Sequence, residues 1–148
     1  MYSVLLSILL LAPAGDTSAE SDRLARGASL GWAALVCSGY SEMAKLPEEE
    51  GGRLQTLGLE KLRAYLAGLR DGRVLQADIQ AKVPWIVAAS GRGPNVEFAL
   101  GRVFEMAMRD AVEKVRQPIG GEYVFDDELA KVRAQGFYDE QNCRHLGA

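Results

Sequence analysis

The sequence predicts an all-α fold: a compact bundle of about five helices, with one disulfide tying the first helix to the last. Three observations carry that reading. Apolar residues recur at spacings of three and four along successive segments. Proline and glycine clusters interrupt the pattern at short intervals, as interhelical turns do. One cysteine falls in the first periodic segment and the other in the last.

The N-terminal segment reads as an address. Val4 to Leu11 is an apolar run of signal-peptide length. It is shorter than the ~20 residues a spanning helix needs. Pro13 and Gly15 are expected to break its helix, and Thr17 and Ala19 are small residues placed for a cut before Glu20. The only departure is that Met1, Tyr2 and Ser3 carry no basic side chain. The expected organisation is a signal peptide over 1–19 and a single helical domain over 20–148, periplasmic or secreted. No later segment is apolar and long enough to span a membrane once the signal is removed.

The elements follow in order. Ser21 or Asp22 is placed to cap a helix running to about Lys45, with Ala33, Cys37, Tyr40 and Ala44 on one face. Pro47 and Glu48-Glu49-Glu50-Gly51-Gly52 end it, the three acids forming a solvated loop or a first helical turn. Arg53 to Leu69 carries a stripe of Leu54, Leu57, Gly58, Leu62, Tyr65, Leu66 and Leu69, in which Gly58 allows close packing by another helix. A short helix is expected over Gln76 to Lys82. Pro84 restarts the chain into Trp85 to Ala89, which its neighbours favour as helix. Ser90 to Asn95 is a loop. Asn95 to Gln117 has the cleanest stripe: Leu100, Val103, Phe104, Ala107, Met108, Ala111, Val112 and Val115. It is expected to be the central helix. Ile119 to Phe125 reads as a short extended piece. Asp126 or Asp127 then caps a last helix to about Leu146, with Leu129, Val132, Gly136 and Cys143 toward one side.

Cys37 and Cys143 are the only thiols, so one intramolecular pairing exists. In an oxidising compartment an even count favours a disulfide. Two buried thiols, or a reactive one, are the alternatives. His145 lies two residues from Cys143, and on a helix that spacing faces different sides.

Composition excludes several classes. Seventeen Lys and Arg stand against 20 Asp and Glu, a net charge of -3, which disfavours general attachment to nucleic acid or acidic membranes. One histidine and two cysteines cannot build a four-ligand His/Cys zinc site. No nucleotide-binding glycine motif is present, and no cofactor, metal or catalytic residue is assigned. Arg92 and Gly93, in the loop Gly91-Arg92-Gly93-Pro94, invite an anion or partner contact together with Arg102, since a helix start attracts anions. Pro94 removes one of the N–H donors that such a site would use, so a plain interhelical turn is the simpler reading. Glu97 and Glu105 are eight residues apart, near one face, as a carboxylate pair would need. Charges opposite an apolar stripe more often make a solvated face. Trp32, Trp85, Tyr40, Tyr65, Phe98, Phe104 and Phe137 are scattered at helical spacings and read as core.

Several of these residues resemble a family of small exported, all-helical bacterial proteins of unknown function. They are Arg53-Leu54 with Gly58, Val83-Pro84, Gly93-Pro94, Phe98, Leu100-Gly101-Arg102, Phe104-Glu105 and Asn142-Cys143. The resemblance implies export, an all-α fold and a structural cysteine pair, and it supplies no catalytic residues.

The functional expectation is an envelope protein, more a binder than an enzyme, that meets a protein or other partner through a helical surface. The alternatives are a periplasmic inhibitor or immunity protein against a delivered toxin, an acid-stress folding helper, and a small carboxylate-based hydrolase. The sequence leaves the partner and the oligomeric state unknown.

Overall fold

The computed structural model describes residues 14–118 and 120–148, with side chains from Thr17 onward. The apolar run expected as a signal core lies outside the described residues. Six α-helices follow in order: α1 Ala14–Met43, α2 Glu48–Arg70, α3 Gln76–Lys82, α4 Trp85–Ser90, α5 Val96–Arg116 and α6 Asp127–Glu140. A 3₁₀ turn, Cys143–His145, closes the chain. The all-α bundle and its disulfide are as expected.

The central helix is α1, not α5. From Gly27 to Ser41 the chain has no charged residue, and every residue from Ala34 to Ser41 is buried. A helix without a polar face must be covered on all sides. α2, α3, α5, α6 and the 3₁₀ turn all pack on α1. Its serines fit because their hydroxyls find partners: Ser38 donates to the Leu35 carbonyl at 2.7 Å. α5 has a clean stripe because only one of its faces is covered. Ala99, Leu100, Val103, Ala107, Ala111 and Val115 are buried, whereas Val112 is 40% exposed and Phe104 and Met108 lie only partly buried. Val112 is one residue past Ala111, about 100° round the helix and beyond the edge of the covered face.

α1 and α2 form an antiparallel hairpin whose register is written in small residues. Leu24 lies against Gly68, Gly31 against Gly58 and Leu62, and Ser41 against Gly51. At the crossing, a Cβ on Gly58 would stand 2.6 Å from Leu35 Cδ2 and 3.0 Å from the Gly31 carbonyl oxygen. Only glycine lets the two backbones come this close, which fulfils the close packing expected of Gly58. The three acids of Glu48–Glu50 form the first turn of α2, where the helix dipole favours them.

Other boundaries moved. α1 starts before Gly15, so that glycine does not stop it; a helical glycine costs only about 1 kcal/mol relative to alanine. Ser21 and Asp22 sit inside α1 and cap nothing. Ser21 is fully buried; its hydroxyl donates to Asp78 Oδ2 at 2.5 Å and accepts from the Leu75 N–H at 2.8 Å. It ties α1 to the start of α3. α6 stops at Glu140, before the expected Leu146, because Asn142 takes a left-handed conformation at φ 53°. Cys143 therefore sits in the 3₁₀ turn. Asp126 caps α6 as expected, accepting from the Leu129 N–H at 2.7 Å. The covered face of α6 is Ala130, Ala134 and Tyr138, not Leu129, Val132 and Gly136. The alanines bring α6 close to the rest of the bundle and turn the larger side chains outward, with Leu129 43% and Val132 68% exposed.

Cys37 and Cys143 are bonded, with Cα atoms 5.6 Å apart. Arg53 reinforces that end. Its guanidinium donates to the carbonyls of Leu146, Arg144 and Cys143 at 2.7, 3.2 and 3.3 Å, and to both carboxylate oxygens of Glu50. Tyr138 donates its hydroxyl to the same carboxylate. The Arg53 guanidinium, aided by that hydroxyl, holds the Glu50 carboxyl down at about 2. Burial, then the Glu50 carboxylate, pushes the Tyr138 hydroxyl up to about 12. Among the described residues no helix is long and apolar enough to cross a membrane.

Candidate functional site: a groove holding both tryptophans

The residues singled out in the sequence for chemistry are occupied with one another. Glu97 accepts from Arg63 Nε and Nη2 at 2.8 and 3.0 Å, and the guanidinium lowers its carboxyl from the ordinary value. Glu105 pairs instead with Arg109 at 2.8 Å. Each acid answers to a separate arginine on an exposed surface, and Arg63 draws Glu97 away from the raised value a general acid needs. The Gly91–Pro94 loop does bring Arg92, Gly93 and Arg102 together, through its carbonyls. Arg102 approaches the Arg92 oxygen at 3.5 Å, and Arg70 donates to the oxygens of Gly93 and Pro94, both at 2.9 Å. Asn95 caps α5 by accepting the Phe98 N–H at 2.8 Å, so that donor is already engaged at the helix start. His145 is exposed in the 3₁₀ turn. Among the described residues no three His, Cys, Asp or Glu side chains gather as a metal site would require.

The surface with unspent binding capacity is elsewhere. Trp85, expected in the core, is 76% exposed. The reason is local. Pro84 starts α4, which lasts only six residues, and Val87 and Ser90 supply its buried side. One turn of helix has a single inward face, and Val87 takes it. Trp85 stands two residues earlier, about 200° round the axis. Phe98, also expected in the core, is 50% exposed for the same reason, two residues before the buried Leu100.

Trp85 does not stand alone. With Pro84 and Ile86 it forms one wall of a groove of about 460 Å³, with Trp32 of α1 and Met106, Arg109, Asp110, Glu113 and Lys114 of α5 as the rest. The chain has two tryptophans and both are here. The charged rim is partly self-paired: Lys114 meets Asp110 at 2.8 Å, and Arg109 is held by Glu105. An apolar floor with paired charges around it suits a side chain from a partner, because tryptophan gives large contact area at little entropic cost.

The limb that presents this wall is held to α1 by polar contacts. Lys82, the last residue of α3, pairs with Asp22 at 2.8 Å and with Asp78. Arg26 binds Asp22 with Nε at 2.9 Å. Together Arg26 and Lys82 draw the Asp22 carboxyl down to about 2, and Lys82 with Ser21 lowers Asp78. Ser29 donates to the Lys82 carbonyl, pinning the end of α3. Two larger grooves, of about 580 Å³ each, lie along α2. The one against the N-terminal half of α1 is rimmed by Asp22 with Arg26 and by Glu60 with Lys61, pairs that already satisfy each other.

Sequence reasoning missed the groove by treating all aromatics alike. The signal was present: a tryptophan directly after a proline, opening an apolar segment too short to bury both its ends. Comparison of the chain with protein-family models, curated protein sequences and solved structures gave no match.

Proposed function

We propose that this protein is an exported envelope protein that binds a protein partner through the groove between α1, α4 and α5, with Trp85 as its principal contact. The observation that carries the reading is the 76% exposure of Trp85 beside Trp32 on a groove with an apolar floor. Exposed tryptophan is costly to leave in water and is enriched among the residues that dominate interfaces.

Two features support export. The Cys37–Cys143 bond suits an oxidising compartment. Residues 17–19 are exposed, whereas Glu20 meets Arg73 at 2.5 Å and Ser21 is fully buried, so tertiary contact begins where the expected cut falls. Cleavage before Glu20 leaves those contacts in place. Mass spectrometry of the envelope form should find Glu20 at its N-terminus; finding Met1 or Tyr2 would contradict this.

The binding reading is tested by native co-purification from the envelope with Trp85→Ala run beside the wild type. A specific partner should be recovered with the wild type and lost with the variant, while helical content stays the same. Recovery of that partner by both proteins would move the binding surface away from the groove.

A further inference from the structure

The tryptophan groove carries a charge that narrows what a partner can offer it. The inference rests on the reading of that groove as the binding surface. Met106, Arg109, Asp110 and Glu113 line it from α5, at spacings that put them on one face of the helix. Most of these charges are already answered. Glu105, from outside the groove, holds Arg109 at 2.8 Å, and Asp110 holds Lys114 at 2.8 Å. Glu113 is exposed, and among the described residues it has no ion-pair or hydrogen-bond partner. With Glu105 counted, three carboxylates stand against the two bases Arg109 and Lys114, an excess of one negative charge.

The other walls hold the half-buried Trp32 and the exposed Trp85. The face of an indole is the negative end of its ring quadrupole, and it attracts a cation within about 6 Å of the ring centre. Two indoles and one unpaired carboxylate therefore favour the same kind of group. An anion would be repelled by Glu113 and by the ring faces. An apolar side chain would cover the floor, but it would strip water from Glu113 and offer nothing in return. Arg109 and Lys114 do not oppose a cation, because each is neutralised by its own carboxylate.

We propose that the group this groove takes is an arginine of the partner protein, its guanidinium stacked on Trp85 and paired with Glu113. Arginine suits the two features better than lysine does. Its guanidinium is planar and weakly hydrated, so it can lie on an indole face. Its N–H fork still reaches a carboxylate with two donors while it does so. An ammonium is a compact, strongly hydrated charge and gains less from the ring. The aliphatic stem of the arginine covers the apolar floor beside Pro84, Ile86 and Met106.

The test follows the indole N–H signals of Trp32 and Trp85 by NMR in the purified protein with its disulfide intact. The probes are the N-acetyl amides of arginine, lysine, leucine and citrulline, the last having the shape of arginine without its charge. The arginine derivative should move the Trp85 signal at the lowest concentration, lysine should follow, and citrulline and leucine should come last. Glu113→Gln should weaken the arginine derivative about threefold, as loss of an exposed ion pair does, with helical content unchanged. Glu128→Gln, exposed on α6, should leave it as it was. Citrulline or leucine acting as well as arginine would overturn the proposal. So would a Trp85 signal unmoved by the arginine derivative up to its solubility limit, or arginine binding indifferent to Glu113→Gln. Any of these, with native co-purification still dependent on Trp85, removes the arginine and leaves the groove standing. Recovery of the partner by Trp85→Ala removes both.

Discussion

The two ends of this bundle are held by different means. At the disulfide end, Cys37–Cys143, the Arg53 clamp and the Glu50–Tyr138 contact lock the C-terminal turn. Along the α3–α4 limb there is no covalent tie. Ser21, Asp22, Asp78 and Lys82 hold α3 on α1, and Trp85 stands beyond them uncovered. The proposed binding groove lies on the limb that has no covalent tie. Substitutions at the first end should therefore cost stability, and those at the groove should cost binding.

The largest effect is expected from cutting the covalent tie. Cys37→Ser with Cys143→Ser opens a loop whose ends are 106 positions apart in the sequence. For a loop of that order the chain-entropy account gives about 4.7 kcal/mol as an upper figure. Denaturant melts of both forms measure it, and a loss below about 1 kcal/mol would show that Arg53 and packing hold this end without the bond. Leu100→Ala should cost roughly 2–5 kcal/mol, through lost burial and a cavity, in the same assay. Val112→Ala, on the same helix but beyond the covered face, should stay within about 0.5 kcal/mol. Gly58→Ala should cost about 1–3 kcal/mol, because its Cβ must displace Leu35 or part α1 from α2.

Acid and base should separate the two ends. Asp22 is held down to about 2 and Asp78 is also lowered, so the stability they contribute is complete above pH ~4 and is lost as pH falls toward 2. Glu50 protonates in the same range, but the disulfide persists there. Hydrogen exchange at falling pH should open the α3 amides before those of the 3₁₀ turn. Base acts at the other end. Burial, with Asp110 and Glu140, pushes Tyr40 up to about 12, and Tyr138 is raised as far. Their contribution is complete below pH ~10 and is lost as pH rises through 12. Loosening of the α3 limb first in base would break the comparison. The smallest effect belongs to Trp85→Ala, which should change stability by less than about 0.5 kcal/mol, as an exposed residue does.

The helices were legible in the sequence where local signals agree. Gln76–Lys82 falls where a proline and a glycine bound it, and the Asp126 cap where its acid precedes the helix. The centre of the bundle was misread for a physical reason. A clean stripe such as that of α5 marks a helix with one face in water, whereas the uncharged run Gly27–Ser41 marks one with none. The orientation of α6 depends on which small side chains let helices approach, and periodicity alone cannot separate Ala130 and Ala134 from Leu129 and Val132. The disulfide was legible because two cysteines allow one pair. The groove was not, because it joins α1, α4 and α5 across more than seventy residues of sequence, from Trp32 to Lys114.

The central claim is that the tryptophan groove is where this protein meets its partner. A photo-crosslinking amino acid placed at Trp85 in living cells tests it most directly, with Arg23, exposed on α1 outside the groove, as the control position. The expected result is one discrete adduct from position 85, identified by mass spectrometry as a single envelope protein, and none from position 23. The same adducts from both positions, or none from position 85 in cells where the protein is folded and abundant, would contradict the claim.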